Sequence, residues 1–167
     1  KVTLSLMNRS MYPFLYTLIS GQFRPDGDVE GETSTAYWTH MRKCFVEDEK
    51  LSALNLCSKS YLETEIQAIR PQLILSIGGK ATNFFARFDP ELKKALRRGM
   101  KEAFWQQETK FYKLKPTRDM VADLAILPHP SGQNARIWKE LGEKENQARS
   151  IRVIERIRET IAKKLAK

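Results

Sequence analysis

The stretch Leu124-Ala-Ile-Leu-Pro-His-Pro-Ser-Gly-Gln-Asn-Ala-Arg-Ile-Trp138 decides how this chain folds. Its first four residues are continuously apolar and few enough for a buried strand. The run breaks at Pro128-His129-Pro130-Ser131-Gly132, where a proline on each side of His129 fixes two φ angles and disfavours helix at the residue before each. This predicts an imidazole held on a stiff, extended turn just past a strand end. In an open α/β sheet, ligands bind in the crevice beyond the carboxyl ends of the strands. Gly132 releases the chain, Gln133, Asn134, Ala135 and Arg136 make a polar tip, and Trp138 returns to apolar surroundings. A proline-rich loop holding a histidine is more often structural than chemical, so the rest of the chain has to separate the two.

Upstream, Gln72-Leu-Ile-Leu-Ser-Ile77 is nearly all apolar, as expected of a central parallel strand buried on both faces. Gly78-Gly79 turns it into a helix bearing Ala81, Phe84 and Phe85. Before it, Ser60-Tyr-Leu-Glu63 has the form of a capping box, and Leu62, Ile66 and Ile69 continue an amphipathic helix that Pro71 stops. Val2-Thr-Leu-Ser-Leu-Met7 alternates apolar and polar residues and reads as a strand; Phe14, Leu15, Leu18 and Ile19 then give one helical face. Residues 22–35, with the turn signal Pro25-Asp26-Gly27, read as an exposed loop, and residues 36–43 as a second strand ending near His40. Residues 89–118 are basic with interleaved Phe104, Trp105, Phe111 and Tyr112, a composition suited to tracking phosphates or to a solvated helix face. From about Lys144 to Lys167 one helix lines up Ile151, Ile154, Ile157, Ile161 and Leu165.

Strand and helix alternate throughout, the pattern of a parallel sheet covered on both sides. The expected fold is α/β: a three-layer α/β/α sandwich with a four-stranded, mainly parallel central sheet, in one domain over residues 1–167. The strand carboxyl ends then carry Asn8, His40, Gly78-Gly79 and His129. The chain has two histidines, and both fall at strand ends facing one crevice.

Composition narrows the function. At 167 residues the chain suits one domain with a sizeable core, and 41% apolar with 29% charged residues excludes a disordered chain. Cys44 and Cys57 are too few for a disulfide framework or a four-thiolate metal site and read as reduced thiols of an intracellular protein. No stretch is apolar enough to cross a bilayer, and no signal-peptide pattern opens the sequence; Lys1 is not an initiator methionine, which leaves room for residues before it. A net charge of +9 favours polyanions, nucleic acid first among them.

Several motifs fail on their own chemistry. Gly78-Gly79-Lys80-Ala81 lacks the earlier glycine of a phosphate loop (Ile74 stands there) and the hydroxyl after the lysine. Ser131 lacks the Gly-x-Ser-x-Gly elbow of a hydrolase nucleophile. Two histidines and scattered acids at no ligand spacing make no metal site. Cys44 as a nucleophile with His40 stays open: four residues apart on a strand, the two side chains share a face without necessarily touching.

The better match is a family. Pro128-His-Pro-Ser-Gly-Gln-Asn134 resembles the second motif of the uracil-DNA glycosylase superfamily, a His-Pro-Ser turn at the end of the last sheet strand. Ala36-Tyr-Trp-Thr-His-Met-Arg-Lys-Cys44 resembles the family strand that runs Tyr-Ile-Thr-Asn and then Lys-Cys. Residues 57–81, with Tyr61-Leu62, Pro71, the apolar strand, Gly78 and Ala81, are similar to the helix, strand and glycine turn that follow it. The likeness spans roughly residues 36–138, in family order. Leu6-Met7-Asn8-Arg9-Ser10 stands in place of the first motif and is similar to the branch with Met-Asn-Pro-Gly, with Arg9-Ser10 replacing Pro-Gly. His40 stands where the family commonly has a base-reading asparagine. Only Cys44 and Cys57 match cysteines of members that carry an iron–sulfur cluster, so no cofactor is expected.

The resemblance implies hydrolysis of the N-glycosidic bond of a flipped, deaminated base, uracil foremost, in a monomeric DNA-repair enzyme. His129 is then the donor to the departing base and Asn8 the residue that orients water. His40 is placed at the base edge, and Tyr12 or Phe14 against its face, although core packing suits Phe14 as well. Ser131, Gly132, Gln133, Asn134 and Arg136, with Gly78 and Lys80 on the glycine turn, are the expected DNA contacts. The atypical first motif and His40 equally suit a non-catalytic nucleic-acid-binding member of the fold. A small-molecule α/β enzyme using the same crevice fits the basic surface less well.

Overall fold

A computed structural model describes residues 39, 61–117, 120–129 and 135–165. Its elements run α1 (Glu63–Ile69), β1 (Leu73–Ile77), α2 (Gly79–Phe85), α3 (Pro90–Leu96), α4 (Met100–Gln106), β2 (Tyr112–Thr117), β3 (Met120–Leu127), α5 (Ala135–Gly142) and α6 (Lys144–Leu165). The described strands form one mixed sheet in the order β1-β3-β2. β1 lies parallel to β3, with Leu73 opposite Asp123 and Ile77 opposite Leu127; β2 lies antiparallel to β3, with Tyr112 opposite Leu124. The expected strands at residues 2–7 and 36–43 lie outside the described residues, Thr39 excepted.

The sequence logic is clearest in β3. Residues 124–127 are fully buried, as a continuous apolar run requires, and their side chains alternate between two cores. Ala125 and Leu127 join Phe104, Trp105, Trp138, Leu141 and the buried stripe Val153, Ile154, Ile157 and Ile161 of α6. Leu124 and Ile126 face the other way, onto Leu62, Ile66, Phe84, Phe85, Leu92 and Leu114. Helices therefore cover both faces of the described sheet, α5 and α6 on one, α1 to α3 on the other. β1 packs its faces on the same two cores but is only partly buried, with Ser76 its one buried residue.

The basic stretch at residues 89–118 is not one solvated face. It folds into α3, α4 and β2, and the aromatic side chains of Phe104, Trp105 and Tyr112 are buried rather than free to stack on bases. Asp89 caps α3, its Oδ1 accepting from the amides of Glu91 (2.7 Å) and Leu92 (3.1 Å), ahead of Pro90 at the first helical position. Its Oδ2 accepts from the Lys113 amide at 3.0 Å, so the same carboxylate ties the helix to β2. The Tyr112 hydroxyl donates to the Ala103 carbonyl at 2.9 Å; burial first, then the carboxylates of Asp89, Glu102 and Glu91, pushes this phenol above its ordinary value of 10.0.

Two smaller expectations shift. α1 opens at Glu63 after a wider π turn at Tyr61 and Leu62, later than the capping box at Ser60–Glu63 predicts, and the capping Ser60 itself lies outside the described residues. The helix does stop before Pro71, Arg70 taking a left-handed conformation (φ 50°) as its amide bonds the Ile66 carbonyl at 2.9 Å. In α6 the buried stripe begins at Ser150 and Val153, with Ile151 only half-buried. Lys164 reaches Asp123 at 3.7 Å, so α6 returns toward the amino end of β3.

Candidate active site

Parallel pairing of β1 with β3 brings two turns together. Ile77 and Leu127 are opposite one another, so Gly78 and His129 leave adjacent strands at the same, carboxyl end. The Gly78 amide donates to the Leu127 carbonyl at 2.8 Å, adding one rung beyond the ladder. Gly78 is buried, with φ 90° and ψ 159°, a region open essentially to glycine alone. A Cβ there would lie 3.2 Å from the His129 Cβ and 3.6 Å from its Cδ2. The missing side chain is thus what lets the glycine turn pass under the imidazole.

Both turns are anchored from behind. The Gly78 carbonyl accepts from the Thr82 amide (3.0 Å) and from Thr82 Oγ1 (2.8 Å), and Thr82 Oγ1 meets Ser76 Oγ at 3.2 Å. These two hydroxyls are buried and satisfy one another. On the other side, Trp138 Nε1 donates to the His129 carbonyl at 3.0 Å. Trp138 is buried on α5, so its indole N–H needs an acceptor, and the histidine turn supplies one. His129 itself is half-buried, with Pro128 buried before it. Sequence reading placed Trp138 only in apolar surroundings; its bond to His129 was not foreseen, and neither was the Ser76–Thr82 pair.

The rim around this point is basic. Lys80 is exposed one residue into α2, and Met100, at the start of α4, comes within 3.7 Å of where a Gly79 Cβ would stand. Arg136 on α5 and Lys101 on α4 both bind Glu140, each at 3.0 Å. Lys101 first, then Arg136, holds the Glu140 carboxyl below its ordinary value of 4.5. Among the described residues, no cluster of three or more histidines, cysteines and acids is placed to hold a metal ion.

Of the expected site residues, the structure brings His129 and Gly78 into contact and sets Lys80 and Arg136 on nearby elements at the same end of the sheet. Asn8, Tyr12, Phe14, His40, Ser131, Gly132, Gln133 and Asn134 lie outside the described residues. Neither the curated proteins nor the solved structures searched gave a significant match. The family model described as the uracil DNA glycosylase superfamily does match, over residues 7–151, a span that holds β1, β3 and both of the turns just described. A histidine turn and a glycine turn meeting at the carboxyl ends of paired strands, inside so long a match, place the chain in the uracil DNA glycosylase superfamily.

Proposed function

We propose that this protein excises a deaminated base, uracil foremost, from DNA by hydrolysing its N-glycosidic bond. The observation that carries this is the position of His129. It sits at the carboxyl end of β3, with Gly78 beneath its side chain and Trp138 on its carbonyl. A donor fixed in this way needs no reorganisation when charge develops beside it, the condition for effective electrostatic catalysis.

In the proposed reaction, a base buried in the duplex is first extruded, at a cost of a few kcal/mol. The side chains of Gln133 to Arg136 fill the space it leaves. As the glycosidic bond breaks, negative charge collects on the base oxygen, and His129 donates a hydrogen bond to it. One such preorganised donor is worth about 3 kcal/mol of barrier. Asn8 orients the attacking water, His40 meets the base edge, and Tyr12 or Phe14 covers its face. Lys80, exposed on the glycine turn, meets the DNA backbone beside the extruded nucleotide, while Gly78, also expected there, is buried beneath His129 with its amide and carbonyl bonded within the protein. The same proposal extends to the whole chain: one monomeric, intracellular domain over residues 1–167, in which residues 2–7 and 36–43 add two strands to the three described, so that β2, which the sequence did not announce, makes a fifth.

The test is direct. Oligonucleotides carrying uracil, hypoxanthine or xanthine are incubated with the protein and abasic sites are cleaved with alkali; at least one should yield product. His129→Ala should lower the single-turnover rate by about 10²-fold, the scale for one lost oxyanion donor, with little change in DNA affinity. Equal loss of both would remove His129 from the chemistry. Arg9-Ser10 in the first motif and His40 in the asparagine position favour a second reading, a member that binds nucleic acid without cleaving it. Salt-dependent binding with no product from any of the three bases would select it.

A further inference from the structure

From the histidine turn, a line of cations leads away across three helices. Arg136, just past the turn on α5, shares Glu140 with Lys101 of α4. The Lys101 ammonium lies 5.2 Å from the centre of the Trp105 ring, and the Arg149 guanidinium of α6 lies 5.0 Å from it. Trp105 is itself held by a bond from Nε1 to Ser150 Oγ at 3.1 Å. Arg149 and Arg152 then share Glu108, their Nε atoms at 2.9 Å and 2.6 Å from its two oxygens.

We propose that Arg136, Lys101, Arg149 and Arg152 form a track for the phosphate backbone of the DNA flanking the extruded nucleotide. Charge and layering support it. Four cations share two carboxylates, so the line is net positive. The carboxylates also lie deeper: Glu140 and Glu108 expose 28% and 24% of their side chains, against 90% for Arg136 and 57% for Arg152. The acids pair with the guanidinium groups, and the cations form the more exposed layer. A guanidinium bound through Nε keeps its terminal amino groups as donors, the geometry that suits phosphate. The track continues from the turn proposed to hold the extruded base, so one backbone can follow both.

This rests on the proposed action on DNA, and its test separates the two. The dependence of log K on log salt is measured for duplex DNA with wild type, with Arg149→Gln/Arg152→Gln, and with Lys93→Gln/Lys94→Gln. The last pair removes the same charge from α3, on the other face of the sheet. The arginine pair should flatten the slope by about 0.9 for each phosphate it no longer neutralises, while the lysine pair leaves it near wild type. Should the double variant lose its fold by circular dichroism, Arg152→Gln alone carries the test, with about half the change in slope. Equal flattening by both pairs, or none by the arginines, overturns the track even if uracil is excised. A wild type that binds DNA on this slope pattern without excising any base keeps the track and removes the glycosylase reading.

Discussion

Gly78 and Gly99 form a natural matched pair. Both adopt backbone conformations that L residues avoid, φ 90° and ψ 159° at Gly78 and φ 112° and ψ 163° at Gly99. An added Cβ meets nothing within 4 Å at Gly99 but stands 3.2 Å from the His129 Cβ at Gly78. Alanine at either position should therefore cost about 1–3 kcal/mol of backbone strain, lowering the thermal midpoint. Only Gly78→Ala should also move the imidazole and depress the single-turnover excision rate beyond what reduced stability explains. Matching rates for the two folded variants would mean that the glycine contact does not position His129. The glycine turn was legible in the sequence as a turn. What it packs against was not, because His129 is fifty-one positions away along the chain and only the parallel register of β1 and β3 joins them.

At the scale of elements, β3 depends on a side chain to finish its hydrogen bonding. β2 pairs with it at Tyr112 and Leu124 but not as far as Ile126. There, buried Gln107 substitutes for the missing strand: its Oε1 accepts from the Ile126 amide at 2.6 Å, and its Nε2 donates to the Ile126 carbonyl at 2.8 Å. Gln107→Met, close in volume, leaves both groups buried and unpaired, and should cost about 2–5 kcal/mol, read as a lower urea midpoint. An unchanged midpoint would mean that the strand end finds other partners. Nothing in Trp105-Gln-Gln-Glu108 marks the second glutamine as the structural one, since a polar run after a helix reads as surface. β2 was more legible than it looked: Tyr112 and Leu114 are buried while Lys113 and Lys115 are exposed, a period of two. Its lysines drew attention to charge and hid the alternation. By contrast, the uninterrupted run at 124–127 and the helical repeat in α6 announced themselves, because burial alone determines both patterns.

Across the whole molecule, acid should act through the ties that join the helices of one layer. Glu108, just past α4, binds Arg149 and Arg152 of α6, and Glu140 of α5 binds Lys101 of α4. Arg152 foremost, with Arg149, holds the Glu108 carboxyl below its ordinary value of 4.5, and Lys101 foremost does the same for Glu140. A carboxylate whose pKa is lower in the folded chain stabilises it above the unfolded value, and that contribution disappears as pH falls through the folded value. Glu108→Gln should therefore be less stable than wild type near neutrality, and the gap in thermal midpoint should close below about pH 4.5, where the unfolded carboxyl takes up its proton. High salt should narrow the neutral gap too, since both partners reach solvent. A gap that persists unchanged into acid would assign the loss to packing rather than charge. The same substitution leaves α6 with its arginines and no carboxylate beneath them, so DNA binding at neutral pH should survive it. Stability and phosphate binding then draw on the same guanidinium groups, and Glu108 serves the first without being needed for the second.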